Sequence, residues 1–540
     1  MNLLTQAVGY KCTVHLHYCN NLHSLTKMAQ LTVLLVTISV LILLILRYKF
    51  KLSKSSNSAP SLPPGPSSLP IVGYLPFLRH TDLHTQFTNM AHTYGPIFMF
   101  KLGSKLHVVI NTPELAKVVV RDQDEAFCHR DQTIAALEMS YGGQDIIVSN
   151  NNDNWRKLQK IFVHKILSKT SLEASRSLRR DEVRKTIKNI FGKIGTTVNI
   201  RDIAFSTQTN LLTRMIWENI SDKGDKNDNL AADLDIAASN IVRIFGLVNL
   251  SDVFPSLAWF DLQGIERDMK KQRNKLDQIF TSIIKDRIES NSKESQDGEQ
   301  QCEGKKDFLQ ILLSHMDQKD TTSLNMTQIK ALLLDIMIAG TETTATTIEW
   351  AIASIMHNHN VMKILQEEFA EIVGLNNVVE EFHLPKLIYL YATIKETLRM
   401  YPILPFLIPR SPRKECMVGG YKIPKGSTIF LNVWSIHRDP QYWDNPLEFN
   451  PERFLKSKCD TNGNDMKFFP FGSGRRMCAG ISLAEKMLMF ILASLLHSFD
   501  WNLPKGEDHD LTEKFGITLK KRKPLVAIPF QRLPDVRLYM

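Results

Sequence analysis

The chain has 540 residues, of which 43% are hydrophobic and 23% charged, and its formal net charge is +10. This balance is typical of a folded protein and excludes a disordered chain. Basic residues are spread along the chain without a compact block that interleaves with aromatics, which argues against a nucleic-acid surface and favours contact with anionic lipid or an acidic protein. The seven cysteines are scattered and form no C-x-x-C pair, which argues against a disulfide framework and a structural zinc site.

Residues 29–46 form a strongly apolar run. As a helix, a run of this length spans ~27 Å, close to the bilayer core of about 30 Å. Cations follow it directly, at Arg47, Lys49, Lys51 and Lys54. The positive-inside rule then puts the C-terminal side in the cytosol. A cleaved signal peptide is the weaker alternative, because no small-residue cleavage site follows the run. We predict a single-pass signal anchor.

The anchor is preceded by an N-terminal extension, residues 1–28. Met28 stands where an ordinary start would lie, so a mis-assigned initiator is a hypothesis. After the anchor, residues 47–70 are basic and rich in serine and proline, and the prolines stiffen this linker into an extended arm. No internal repeat and no further boundary follows, so residues 71–540 are predicted to form one domain.

The hydrophobic patterns within this domain predict mostly helices. Residues 97–102 and 107–110 predict a hairpin, whereas residues 327–357 and 483–499 predict helices. The charged segment 291–306 is nearly free of apolar residues, which predicts a mobile surface loop.

One cysteine precedes the helix predicted at 483–499, in a loop that contains glycines and Arg476. A cysteine before a buried helix is usually a small apolar residue, but a thiolate is also a soft ligand for iron. The N terminus of the helix favours an anion at Cys478, and Arg476 could pair bidentately with a carboxylate. These features suit a haem held by Cys478, with Arg476 on a propionate.

The full spacing F-G-x-G-x-R-x-C-x-G runs without a gap from Phe471 to Gly480. It resembles the haem-binding loop of the cytochrome P450 family. The resemblance implies a haem b with the Cys478 thiolate as axial ligand, and cofactor contacts at Phe471, Gly472 and Arg476. It also implies the mainly α-helical P450 fold with a small β region.

Trp155 and Gln159 lie where the family has W-x-x-x-R. A tryptophan N–H and a cation one turn later could both reach a haem propionate. Gln159 replaces the expected arginine, so it can donate a hydrogen bond but supplies no charge.

The segment from Ala339 to Thr347 places a glycine and several threonines inside a long helix, where propensity alone would not put them. It resembles the A-G-x-[DE]-T-T segment of P450 monooxygenases. The resemblance implies that Glu342 and Thr343 form a proton relay and that Gly340 makes room for dioxygen. It favours monooxygenation over rearrangement of a hydroperoxide.

Glu396 and Arg399 resemble the E-x-x-R motif of the family, and Arg453 lies in a P-E-R-F motif. The resemblance implies a buried charge network of these three side chains. Such a network stabilises only when all of its members are paired.

Between the motifs, the prolines from Tyr401 to Arg410 force extended backbone. By resemblance, this strand passes over the haem, and Arg410 reaches a propionate. The substrate contacts implied by motif position are Ala339, Ile403, Phe406, Leu407, Gly516 and Ile517. Most are apolar, so we expect a small hydrophobic substrate held by shape.

The motifs and the closing run look most like those of plant microsomal P450s that oxidise terpenoids or phenolics. The resemblance implies an endoplasmic-reticulum enzyme that inserts one oxygen atom from O2 into a C–H bond. Its electrons would come from NADPH through cytochrome P450 reductase. Two alternatives stay open: an isomerase or dehydratase of a hydroperoxide on the same fold, and a non-enzymatic haem-binding membrane protein.

Overall fold

The computed structural model describes Gln30, residues 32–45 and Arg47, followed by residues 61–217, 226–296, 307–316 and 323–540. Within these ranges the chain is mostly helical. The helices are α1 Thr32–Ile45, α2 Leu83–Tyr94, α3 Pro113–Lys117, α4 Ile134–Met139, α5 Asp153–Ile161, α6 Lys169–Ala174, α7 Arg176–Phe191, α8 Ile200–Ile216, α9 Lys226–Phe245, α10 Leu250–Val253, α11 Ile265–Gln296, α12 Phe308–Leu313, α13 Met326–His357, α14 His359–Ile372, α15 Ile388–Met400, α16 Val433–Ile436 and α17 Ile481–Ser498.

The strands are short and form a minor part of the described chain. They are β1 Ile97–Leu102, β2 Lys105–Ile110, β3 His129–Arg130, β4 Val198–Asn199, β5 Arg410–Ser411, β6 Cys416–Val418, β7 Tyr421–Ile423, β8 Thr428–Leu431, β9 Phe499–Asn502, β10 Glu513–Lys514, β11 Lys520–Lys521 and β12 Val526–Gln531. This architecture confirms the predicted mainly α-helical fold with a small β region.

The long helix α13 runs through the interior. It begins at a capping box, in which the Gln328 N–H donates to Asn325 Oδ1 (2.9 Å) and the Asn325 N–H donates to Gln328 Oε1 (3.0 Å). Its apolar residues are buried on nearly all sides against α8, α15 and α17, as expected for a helix that is hydrophobic all round. The helix predicted over residues 327–357 is confirmed, and it carries the threonine-rich segment into the core.

The largest sheet has the strand order β1-β2-β8-β5-β3. β1 and β2 form the predicted hairpin, with Ile97 opposite Ile110, and β2 pairs parallel with β8. At the other edge, β3 pairs antiparallel with β5, with Arg130 opposite Arg410. This pairing places two arginines that are distant in sequence side by side.

The proline-rich arm belongs to the packed body from Ser61 onward. The Met99 N–H of β1 donates to Pro64 O (2.8 Å). A side chain at Gly65 would meet Met99 O at 1.8 Å, so only glycine allows the arm to lie this close to β1. Packing of the arm against β1 therefore begins before the predicted boundary at residue 71. Residues 1–28 and 48–60 lie outside the described residues.

Two expectations on local structure were wrong. α11 continues through Gln296, so the first part of the predicted loop 291–306 is helical, because good helix formers extend the preceding helix. Residues 297–306 lie outside the described residues. The segment from Tyr401 to Pro409 is irregular rather than a strand, because Leu407 adopts φ +53° and its N–H donates to Leu404 O in a turn.

Apolar segments long enough to cross a membrane occur at two places in the described body, Ile236–Val253 and Ile481–Ser498. The second is α17, a core helix. The apolar helix α1, Thr32–Ile45, is shorter and falls within the anchor predicted over residues 29–46.

Candidate active site

A cavity of about 310 Å³ lies between α13 and the loop before α17. Its lining brings together most of the residues singled out in the sequence: Trp155, Gln159, Ala339, Gly340, Glu342, Thr343, Ile403, Leu407, Arg410, Phe471, Gly472, Arg476, Cys478 and Ile517. The rest of the wall is mainly apolar, so the cavity suits a hydrophobic ligand with a few polar contacts.

The loop before α17 presents Cys478 to this cavity. The Cys478 N–H donates to Phe471 O (2.9 Å), which closes the loop around the sulfur. Gly474 has φ +69°, and a side chain there would meet Val120 O at 2.1 Å, so the tight turn requires glycine. The thiol is open to the cavity but lies far from bulk solvent, and burial raises its pKa, although a hydrogen bond from the Gly480 N–H opposes this. Burial therefore disfavours the thiolate form of Cys478, and a bound metal cation would favour it.

Arg476 lies at the cavity edge with its guanidinium stacked 4.1 Å from the Trp155 ring. It donates to Cys128 O (2.7 Å), Ile146 O (3.3 Å) and Ser149 O. Burial lowers its pKa to about 10. The acceptors are neutral carbonyl groups. The Arg476 guanidinium is therefore hydrogen-bonded, but it forms no ion pair with a carboxylate among the described residues.

Arg410 and Arg130 extend this basic edge. Arg410 pairs with Asp124 (3.2 Å) and donates to Ser473 O (2.7 Å). The sequence analysis did not predict Arg130 as a site residue. It donates to Ile147 O (3.0 Å) and Ile408 O (2.6 Å), and no ion pair with a carboxylate is found for it in the described part of the chain.

The charge balance at this edge suits an anionic cofactor. Burial lowers the pKa of Arg130 well below its ordinary value, and repulsion from Arg476 and Arg410 lowers it further. Carboxylates between these arginines would relieve that repulsion. Haem brings two propionates, so the residues present fit it. Only the β3–β5 pairing, which no local sequence pattern reveals, could have pointed to Arg130.

Trp155 and Gln159 lie beside the basic edge but are engaged within the protein. The Trp155 Nε1–H donates to Ile146 O (3.0 Å), and the expected donation of this N–H to a haem propionate stays a prediction. Gln159 Nε2 makes a long contact of 3.4 Å to Arg475 O. Trp155 therefore supports Arg476 through its ring.

On α13, the threonine-rich segment faces both the cavity and α8. Thr343 Oγ1 donates to Ala339 O (2.6 Å) one turn earlier, which is the back-bonding expected of a threonine within a helix. A side chain at Gly340 would lie 2.7 Å from Leu212 Cδ1. The glycine therefore allows α8 to pack closely, and its role in making room for dioxygen stays a prediction.

Glu342 is buried between two cations. Arg201 Nη2 lies 2.5 Å from one carboxylate oxygen, and Lys520 Nζ pairs with the other. Burial alone would raise the pKa of Glu342, but Arg201 and Lys520 outweigh it and the pKa is lowered. The sequence did not reveal either cation, because both come from distant elements, α8 and β11.

The predicted charge network is present. Glu396 and Arg399 are fully buried and joined by two hydrogen bonds of 2.7 and 2.8 Å. Arg453 Nε donates to the same carboxylate (3.1 Å), as does the Asn450 N–H (2.8 Å). Arg399 also donates to the carbonyl of His437 (2.8 Å). The network ties α15 to the loop that precedes the cysteine loop.

The predicted substrate residues divide between two cavities. Ala339, Ile403, Leu407 and Ile517 line the main one. Phe406 and Gly516 line a neighbouring cavity of about 190 Å³ between the β1–β2–β8 sheet and the β10–β11 hairpin. Ile517 and Leu407 line both, so the two spaces adjoin.

Asp335 is a polar group in the cavity wall that the sequence reasoning missed. It is buried on α13, and its Oδ2 accepts from the Ile146 N–H (2.8 Å). Burial raises its pKa well above the ordinary value, and Asp145 adds to the effect. A neutral carboxyl group there could contact a hydroxyl of a ligand. Asp335 lies about two turns before Thr343 in an otherwise apolar stretch of the sequence, and this pattern could have indicated a polar group in the cavity wall.

Comparisons with known proteins agree with this geometry. The family model for cytochrome P450 matches residues 63–528. The flavonoid 3',5'-hydroxylase of Campanula medium is 35% identical over 489 residues, which is 88% of this chain and 92% of the relative. The flavonoid 3'-monooxygenase of Petunia hybrida is 37% identical over 485 residues, 87% of this chain and 92% of the relative. Cytochrome P450 76C1 of Arabidopsis thaliana is 35% identical over 491 residues, 89% of this chain and 94% of the relative.

Among solved structures, a zebra fish cytochrome P450 with progesterone superposes with a TM-score of 0.71. The match covers 83% of this chain and 99% of that chain, at 23% sequence identity. At this identity the match supports the fold alone.

Proposed function

The chain belongs to the cytochrome P450 family and is a haem-thiolate monooxygenase, and we propose that it hydroxylates a phenolic compound of the flavonoid class at a C–H bond. The names of the relatives at 35–37% identity support this substrate class. The apolar cavity in front of Cys478 is the observation that carries the proposal.

We propose that Cys478 ligates the haem iron. The N terminus of α17 and the Gly480 N–H favour the thiolate. Arg130, Arg410 and Arg476 hold the propionates: Arg410 pairs with Asp124, whereas Arg130 and Arg476 form no ion pair with a carboxylate among the described residues. When bound, a thiolate-ligated haem activates dioxygen for insertion into a C–H bond.

The chain positions the substrate mainly by shape. Ile403, Leu407 and Ile517 contact its apolar faces, and the Asp335 carboxyl group is the candidate partner for a phenolic hydroxyl. Thr343 and Glu342 support proton delivery to the oxygen side of the cavity. A flat aromatic ring system fits such a wall, because it needs few polar contacts.

Electrons come from NADPH through a membrane-bound cytochrome P450 reductase. The net charge of +10 supports docking of an acidic partner. The apolar helix α1 and the basic residues after residue 46 support a single-pass anchor in the endoplasmic reticulum, with the body in the cytosol.

The test is turnover of the full chain, co-expressed with a reductase, on a panel of flavonoids, simple phenolics and terpenoids under labelled dioxygen. We expect an NADPH-dependent hydroxylated flavonoid that carries one labelled oxygen atom, and no product from Cys478→Ser. Selective oxidation of terpenoids would contradict the substrate class. Conversion of a hydroperoxide without NADPH would contradict monooxygenation and point to an isomerase or dehydratase.

A further inference from the structure

Glu342 and Thr343 are neighbours in sequence, but their side chains diverge. Successive helix positions point about 100° apart. Thr343 Oγ1 donates to Ala339 O, whereas Glu342 faces Arg201 and Lys520. A proton that passes from Glu342 to Thr343 therefore needs a carrier, and water is the available one.

The interface between α8 and α13 holds polar atoms without protein partners. Gln208 Oε1, Thr346 Oγ1 and Arg201 Nε are buried and make no hydrogen bond within the described part of the chain. Gln208 is 1% exposed and Thr346 is 0% exposed. Buried polar groups almost always bind protein or ordered water, and a buried water typically needs two to four such partners.

These residues belong to α8 and α13, which pack against each other. Gln208 lines the main cavity together with Glu342 and Thr343, and it follows Arg201 by two turns of α8. Thr346 follows Glu342 by one turn of α13. At the far end, the side chains of Arg201 and Lys520 are 22% and 32% exposed. Glu342 therefore contacts two partly exposed cations and also shares the cavity wall with Gln208.

We propose that Gln208 is a positioning residue that holds water between Glu342 and Thr343, on a proton path between α8 and α13. A proton enters from bulk water beside Arg201 and Lys520 and protonates the Glu342 carboxylate. It then passes to the water held by Gln208 and on toward Thr343, so that Glu342 returns to its ionised form. The inference rests on the proposed monooxygenase function and adds a residue outside the α13 motif.

Two variants on α8 test the role. Gln208→Leu removes the amide but keeps a side chain of similar size. Thr207→Val is the matched control, because Thr207 is also buried on α8 but bonds to Ile203 O (2.7 Å) and Thr186 Oγ1 (2.8 Å), away from the cavity. Both proteins are studied with haem bound, and a crystal structure of the unmodified protein locates ordered water.

We expect an ordered water within hydrogen-bond distance of Gln208 Oε1. We also expect Gln208→Leu to bind haem normally, to melt no higher than the unmodified protein and to release about tenfold more hydrogen peroxide per NADPH. This change is smaller than the ~10²-fold loss of reaction rate that follows removal of a catalytic acid or base. Thr207→Val should release as much hydrogen peroxide per NADPH as the unmodified protein.

A dry interface at Gln208 would overturn the proposal, and Gln208→Leu would then melt higher, because it removes an unsatisfied buried group. An unchanged peroxide ratio would overturn the positioning role even with water present. Failure of the unmodified protein to bind haem through Cys478 contradicts the proposed function instead, and the crystallographic water still decides the proton path.

Discussion

At the residue scale, the sequence located the sulfur but not the charges around it. The spacing from Phe471 to Gly480 predicts the loop because the turn requires glycines at fixed positions, as the close approach of Gly474 to Val120 O shows. Arg130 could not be predicted, because its importance arises from a strand pairing with Arg410. The same holds for Arg201 and Lys520 beside Glu342. A motif within one short segment can be predicted from the sequence, whereas contacts between residues of distant elements cannot.

Arg130→Ala should weaken haem retention without unfolding the protein. Removal of a charge-assisted hydrogen bond costs about 1.5–3 kcal/mol, which corresponds to roughly 10- to 100-fold faster haem loss. The measurement is haem transfer to an excess of an apo-globin. Arg180→Ala is the control, because Arg180 is an exposed arginine paired with Asp181. Equal rates for the two variants would remove Arg130 from the propionate site.

His107 should make stability depend on pH. It lies between Phe100 and Phe430 with ring centroids 5.1 and 6.0 Å away, and burial lowers its pKa from 6.5 to about 4. Its neutral form in the fold therefore adds stability above the unfolded pKa, and this stability is lost as pH falls toward the folded pKa. The loss is about 2 kcal/mol between about pH 7 and about pH 5.

His107→Phe keeps the aromatic stack and removes the titration. Urea unfolding at the two pH values should show a smaller loss of stability for this variant than for the unmodified protein. His92→Phe, at an exposed position of α2, should lose as much as the unmodified protein. An unchanged loss in His107→Phe would show that another group governs the acid sensitivity.

At the element scale, segments with a strong period or a defined motif were predictable. α13 and the β1–β2 hairpin match expectation, because an apolar run with a capping box and a two-residue turn are local signals. The segment from Tyr401 to Pro409 did not form a strand, because its backbone turns at Leu407, which adopts a positive φ. α11 extends into the segment predicted as a loop, since polar sequence alone does not stop a helix that lacks Gly or Pro.

Glu396→Ala should yield little folded haem protein. The change leaves Arg399 buried without its charge partner, which costs about 3–5 kcal/mol, a large part of the usual stability of a folded protein. The readout is the yield of soluble protein with a normal carbon monoxide difference spectrum. Glu367→Ala, which removes an exposed partner of Lys363, is the control. A normal yield from Glu396→Ala would contradict a structural role for the network.

At the scale of the whole molecule, the arm that follows the predicted anchor is part of the packed body. The arm joins the sheet from Ser61 onward, through Pro64 and Gly65 against Met99. The sequence predicted a stiff arm, but its proline content could not show that the arm packs against β1. These contacts fix the orientation of the arm relative to the sheet.

A chain that begins at residue 55 should fold and bind haem but no longer sediment with membranes. It keeps the packed arm and lacks the apolar helix α1 and the basic residues that follow it. The measurement is the partition of haem protein between supernatant and membrane pellet at high salt. A truncated chain that stays fully in the pellet would contradict anchoring by residues 29–46 alone.

The central claim is that Cys478 supplies a thiolate to a haem, and the carbon monoxide difference spectrum of the reduced protein tests it most directly. The unmodified chain should show the absorption band of a thiolate-ligated haem. Cys478→Ser should lose this band, whereas Cys459→Ser, whose sulfur contacts Asp465 outside the cavity, should keep it. Persistence of the band in Cys478→Ser would contradict the assignment of the ligand.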